Sequence, residues 1–250
     1  MESFKVAVIN EIEKLYKKKK IIVAAVLSLI FIIIGQVIMV GMRESLGLRG
    51  VGSMEFPTLV LSIVSNSIIP LFIAFVTIDS FSSEFSQNVM KIALTRPVSR
   101  LKFFTAKIIA IMVFVFANLM FVMFFSIVAG FIFNDNDFNA IGFLRIIISY
   151  IVTLFPMLVV VMIIVLLCNV IGNGIGVFFT SILIYLSFKV AGMFFYSYSG
   201  ILFTSMLDWY NFWIMDNIPI IKIIRQFFLM ISYVILLFTA GYYLFDKKEF

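Results

Sequence analysis

The chain alternates between long apolar runs and short polar ones. Residues 21–42 are apolar apart from Ser28, Gly35, Gln36 and Gly41. Further apolar runs cover about 59–78, 103–133, 143–167, 175–195 and 223–245. A helix of about 20 apolar residues crosses a hydrocarbon core of ~30 Å, so each run predicts one membrane-spanning helix. The first run is too long for the apolar core of a signal peptide, and no small-x-small cleavage pattern follows, so it is expected to be retained. Ahead of it, residues 3–19 place Phe4, Val8, Ile12 and Leu15 on one helical face, with Glu11, Glu13, Lys14 and Lys17 largely elsewhere. That pattern predicts an amphipathic helix lying in the membrane interface. The fold expected is therefore an all-α integral membrane protein, one domain over 1–250, with six transmembrane helices.

Composition strengthens this reading. Hydrophobic residues make up 63% and charged residues 13% of the 250. A soluble domain of this length has too little interior for that much apolar surface. The net charge of +6 comes from lysines and arginines that flank the apolar runs, which points to membrane topology and not to nucleic acid. Lys5, Lys14 and Lys17 to Lys20 precede the first run. Lys91, Arg96, Arg100, Lys102 and Lys107 lie between the second and third, and Lys247 and Lys248 follow the sixth. Basic residues mark the cytoplasmic side, so both termini and the 79–107 loop are expected to face the cytoplasm of a multi-pass protein of the cell membrane.

Candidate chemistry is sparse. There is no His and a single Cys, Cys168. Ser-His catalysis, HExxH zinc sites, His-ligated haem and an intrachain disulfide are excluded. Asp135, Asp137 and Asn139 imitate the start of an EF-hand, but Ala140 and Ile146 occupy the positions needing Gly and Glu, so a polar turn is expected. Gly172-Asn173-Gly174-Ile175-Gly176 has no phosphate-loop spacing and predicts a tight turn between two spans. No Gly is followed by Lys, so the chain has no phosphate loop of its own.

The most informative stretch is the loop between spans two and three. Asn88 can cap a short helix through Val89 to Leu94. Pro97 disfavours helical geometry at Arg96 and ends it. Ser99 is placed to cap the helix feeding span three. Glu84, Leu94, Thr95, Pro97, Val98, Ser99 and Arg100 follow the order and spacing found in the same loop of ABC-2-type transporter membrane subunits, which the chain resembles in topology along its whole length. Asn88-Val89 stands where that family usually has Gly-Thr.

The resemblance implies several things. The loop would be a coupling helix seated in a cleft of a separate ABC ATPase, with Glu84, Asn88, Lys91, Leu94, Thr95, Arg96, Pro97, Ser99 and Arg100 as its contact residues. ATP and Mg would be held by that ATPase, and no cofactor by this chain, which would not be an enzyme by itself. A second membrane subunit, identical or similar, would complete a translocation path. The aromatic segment 196–221, with Trp209, Trp213 and Pro219, reads by itself as an interfacial aromatic belt; the resemblance implies short re-entrant elements closing the outer exit.

Lys189 sits about 14 residues into span five. It is either a functional intramembrane charge or a side chain snorkelling to the outer headgroups. Gln36, Asn66 and Asn118 are polar within spans and are expected to bridge helices. Lys189, Asn118, Trp209 and Trp213 are the candidates for the path and its gate. The substrate implied is hydrophobic or amphipathic, such as a peptide or antibiotic exported by peptide-toxin or lantibiotic systems; an extruded ion is the alternative within the family. A secondary carrier would call for paired intramembrane carboxylates or inverted repeats, and a membrane-embedded enzyme for clustered acids or a nucleophile with its base. Asp79 and Glu84 are the only acidic pair at a membrane edge.

Overall fold

The structure, a computed structural model, describes residues 2–46, 51–86, 99–135 and 137–248. Among these residues the chain is helical, with one isolated bridge between Gly52 and Asp135. Six helical segments are long and apolar enough to cross a membrane. The residues proposed for the middle of the coupling loop, Asn88, Lys91, Leu94, Thr95, Arg96 and Pro97, lie outside the described residues.

Helix α1 (Glu2–Tyr16) leads into α2 (Lys20–Leu46), the first span. The second apolar run is not one helix. It is α3 (Phe56–Asn66) and α4 (Ile68–Ser80), joined at Ser67. Pro70 explains the break. It has no N–H to give the carbonyl four residues back, that of Asn66. The Tyr185 hydroxyl donates to that carbonyl instead. A short α5 (Ser82–Ser86) follows.

Span three is α6 (Arg100–Phe133), 34 residues long. At 1.5 Å per residue it runs about 50 Å, well beyond the hydrocarbon core. Ser99 caps it as expected, its side chain accepting from the Lys102 N–H. The fourth apolar run is also broken, into α7 (Ala140–Val152) and α8 (Leu154–Ile171), at Thr153 ahead of Pro156. Asn139 caps α7, and Asp137 and Asp135 are tied through backbone to Ser53. The imitation EF-hand is thus a turn and a helix cap, and among the described residues no acidic cluster is arranged to hold a metal. Gly172 closes α8 at φ +72°, a left-handed turn that suits glycine, and Asn173 caps α9 (Gly174–Phe194).

Residues 196–219 form a 3-10 turn (Tyr196–Ile201) and two short helices, α10 (Phe203–Met206) and α11 (Asn211–Ile214). The last span is α12 (Ile220–Lys247). The core lies where α4, α6, α8 and α12 meet, around Phe81, Phe104, Val161 and Phe245. Helix α9 fully buries only Val177; Phe178, Ile184 and Tyr185 pack partly against the core, and its remaining apolar side chains, such as Ile175, Phe179, Leu183 and Met193, face outward. Helix α1, the last turn of α12 and both feet of the 87–98 segment meet at one end of the bundle. At the other end Ser53 bonds to Asp135 and Asp137, and Arg145 near the start of α7 pairs with Asp216.

Candidate functional site

The feet of the 87–98 segment, Ser82–Ser86 and Ser99–Lys107, are fastened at two points. The first is Lys107, fully buried seven residues into α6. An ammonium has three N–H donors, and all three are used. They reach Glu84 Oε2 at 2.6 Å, Glu11 Oε2 at 2.9 Å and the Ser80 carbonyl at 2.9 Å. The rings of Phe103 and Phe81 flank it, with centroids 4.9 and 5.8 Å from Nζ. Lys14 Nζ lies 2.6 Å from Glu11 Oε1 and 3.6 Å from Glu84 Oε1, so each carboxylate bridges two lysines. One turn on, Lys18 pairs with Asp79 at 2.7 Å. Three pairs of opposite charges thus bind α1 to the end of span two and the start of span three.

Burial pushes the Glu11 carboxyl up. The Lys107 charge and the hydrogen bonds from Lys107 and Lys14 outweigh this and hold it below its usual range. Burial likewise lowers Lys14, but its bond to Glu11 and the charges of Glu11 and Glu84 raise it above an ordinary lysine. Glu11 therefore sits on the inward stripe of α1 with Leu15, not on the polar face expected from the sequence. Neither Glu11 nor Lys107 stood out as a site residue. Lys107 reads as one more basic loop residue, although it continues the apolar run of span three. A lysine there needs a carboxylate; by topology Glu11, Glu13, Asp79 and Glu84 are all near, and the fold brings Glu11 and Glu84 to it.

The second fastening is made by the end of α12. Phe245 is fully buried, its ring 5.2 Å from that of Phe104, 6.1 Å from Phe85 and 6.5 Å from Phe81. Lys248 lies over the Phe85 ring at 4.0 Å. Arg100 donates to the carbonyls of Asp246 and Lys248, where a cation also meets the negative end of the helix dipole. Of the proposed loop residues, then, Glu84 is buried in the ion network, Arg100 holds the chain's last turn, and Ser99 caps α6.

At the other end, Lys189 is half-buried and donates to Asn66 Oδ1 at 2.6 Å. Asn66 Nδ2 donates in turn to Asp208 Oδ1 at 2.7 Å. The break in span two places Asn66 there, with Tyr185 on its carbonyl. Below this relay a cavity of about 180 Å³ opens between α4, α8 and α9. Trp209 adjoins Asp208 and is buried, against Phe227 (6.2 Å, stacked), Phe155 (6.0 Å) and Trp213 (5.5 Å). Both indole N–H groups are buried without a hydrogen-bond partner. Trp209 is thus interior rather than part of a belt facing the headgroups. Asn118 does not join this group. It sits in the seam between α2 and α6 beside Ile21 and Phe114, its Oδ1 buried and unpaired. In the same seam Gln36 bridges helices as expected, donating to Asn134.

No curated protein matches the chain. A family model described as ABC-2 family transporter protein matches residues 7–191, from within α1 to within α9, including Lys107, Lys189 and the whole 84–100 loop. The chain therefore belongs to the ABC-2 family of transporter proteins, and is a membrane subunit of a transporter.

Proposed function

We propose that this subunit forms, with a second membrane subunit, the translocation path of an ATP-driven exporter in the cell membrane, with both termini and the 84–100 loop in the cytoplasm. A separate ABC ATPase docks on the loop and supplies the ATP and Mg. The observation that carries this reading is the double fastening of the loop's feet. Lys107 ties them to α1, and Phe245 with Arg100 ties them to the last turn of α12. A push on the 87–98 segment would be passed to spans two, three and six together and not absorbed locally. In this reading Asn88, Lys91, Leu94, Thr95, Arg96 and Pro97 make the contact, while Glu84 and Arg100 anchor it. The outward apolar face of α9 meets lipid or the second subunit. Trp209, Trp213 and Lys189 stand at the outer exit, behind which the segment 196–219 acts as a re-entrant plug. The largely uncharged spans suit a hydrophobic or amphipathic cargo such as a peptide.

Purification from the native host, followed by reconstitution into vesicles, tests the assignment. An ATPase chain should co-purify and transport should require ATP. Pro97→Ala, which frees Arg96 to continue the helix, should lower ATPase retention or uncouple hydrolysis from transport while membrane insertion persists. Active transport by the chain with no ATPase present would refute the exporter reading.

A further inference from the structure

The cavity under the Lys189 relay has a definite shape. Its lining on α9 runs from Phe178 to Leu186, and on α4 from Ser67 to Ala74. At 1.5 Å per residue that is a length of roughly 12 Å along α9. Its volume of about 180 Å³ exceeds the ~150 Å³ that admits benzene in an engineered apolar cavity. The space is an elongated apolar slot, and its walls are Pro70, Ala74, Ile163, Phe178 and their apolar neighbours.

The top of the cavity is charged. Lys189 stands one helical turn beyond Tyr185, which lines the cavity. It bonds to the neutral Asn66 amide, so the ammonium keeps donors to spare. Asp208 is bound to the opposite side of the same amide and keeps its second oxygen. Both charged side chains are half-buried and not enclosed. A cation and an anion are thereby held apart by the width of one amide, above an apolar slot. A purely anionic head would meet Asp208, and a purely cationic one Lys189.

We propose that this is a binding site for a zwitterionic amphiphile. One alkyl chain enters the slot between α4, α8 and α9, its head's anionic group lies on Lys189, and its ammonium lies on Asp208. The molecule is either a phospholipid of the surrounding bilayer or the transported cargo. The site extends the exporter reading by naming the class of molecule held at the outer end, but its own test needs no ATPase, so the two can fail separately.

The full chain in phosphatidylglycerol nanodiscs would be exposed to lysophosphatidylethanolamine carrying a diazirine on its acyl chain, then irradiated. Labelling should fall on peptides covering 67–74 and 178–186. Dodecyl phosphate and dodecylamine should compete about tenfold less well than unlabelled lysophosphatidylethanolamine. Lys189→Met with Asp208→Asn should weaken labelling about tenfold and erase that preference. Ser181→Phe, which fills the slot, should abolish labelling while the elution profile and melting temperature stay those of the parent. Labelling that ignores both variants, or that the singly charged probes compete equally, overturns the proposal. With the partner ATPase present, ATP-dependent loss of the probe from the site identifies cargo, and retention identifies a resident lipid; both support the site.

Discussion

Lys107 and Lys189 both stand at helix junctions, and they are treated in opposite ways. Lys107 has no exposure, two carboxylates and a carbonyl, and no donor left over. Lys189 is half-buried, bonded to a neutral amide, and beside a carboxylate it reaches only through that amide. The first arrangement fixes three helices in one geometry. The second holds charge available at the mouth of a cavity. A buried ion pair adds little net stability over an apolar replacement, yet breaking one is costly. The loop-end cluster is therefore best understood as fixing register between α1, α5 and α6. The outer relay has charge that a second molecule can use.

The contrast breaks most sharply at Lys107. Lys107→Met leaves Glu11 and Glu84 buried with Lys14 as their remaining cation, and should destabilise the protein by about 3–5 kcal/mol. Thermal unfolding in detergent would show it as a large fall in melting temperature and a loss of yield. Adding Glu11→Gln and Glu84→Gln to that variant should recover much of the loss, because the orphaned charges go with it. A single variant as stable as the parent would mean that the cluster is solvated and does not fasten the feet.

Acid should act on the same cluster more gently. The Glu11 carboxyl is held below its ordinary value of 4.5 in the folded protein. A group lowered in this way contributes stability above its unfolded value, and loses it as pH falls through the folded one. The melting temperature should be level from neutral pH down to about 4.5 and drop below it. The drop is smaller than for Lys107→Met, since losing the Glu11 charge removes one carboxylate from the cluster and not the cation that both carboxylates share. In Glu11→Gln that part of the acid limb should disappear. At the alkaline side Lys14, raised above 10.5, keeps its contribution until pH climbs through its folded value.

The two ends also differ in how far they were legible in the sequence. Apolar run length gave six spans, the Ser99 cap and the Gly172 turn, because each follows from local rules of helix length, capping and backbone freedom. It did not give the breaks at Ser67 and Thr153. Pro70 and Pro156 lie inside these runs and break a helix by their missing N–H, but nothing local shows that Tyr185, 119 residues away, takes up the carbonyl that Pro70 frees and so fixes the break there. Glu11 was misplaced for a related reason. The stripe Phe4, Val8, Ile12 and Leu15 leaves it to one side by apolarity alone, and only a buried cation on a distant helix turns it inward. The family resemblance was legible from the ordered Glu84 to Arg100 pattern, but the same pattern could not reveal that Glu84 and Arg100 bind their own chain. The C-terminal clamp leaves no local sign, since Phe245 looks like any apolar residue near a helix end.

Tyr185 offers a sharper probe of the outer end. Tyr185→Phe removes the donor on the Asn66 carbonyl that Pro70 leaves unpaired. The loss expected is about 1–2 kcal/mol, the cost of one unsatisfied buried acceptor. It would be read by thermal unfolding beside hydrogen exchange of the amides from Ile68 to Leu71, which should open more often. An unchanged melting temperature with unchanged exchange would place the kink's stability elsewhere.

Lys189→Gln should have the smallest effect of all on stability. Its ammonium is half-buried and joined to a neutral partner, so no opposite charge is orphaned when it goes. Half-exposed charged contacts are worth about 0–1 kcal/mol, and glutamine can still donate to Asn66 Oδ1. The melting temperature should therefore stay within about a degree or two of the parent, given that ~1 kcal/mol moves a chain of this size by roughly 2–4 °C. The neighbours of Lys189 on α9, Leu186, Ser187, Phe188 and Val190, are all exposed, so removing the charge does not uncover a buried polar group. If this substitution instead cost as much as Lys107→Met, the ammonium would be a structural fastening like the one at the loop end, and Asp208 would be its hidden counterion. A near-silent melting curve, set beside the collapse expected at Lys107, would show that one fold uses the same side chain to lock one junction and to leave the other open.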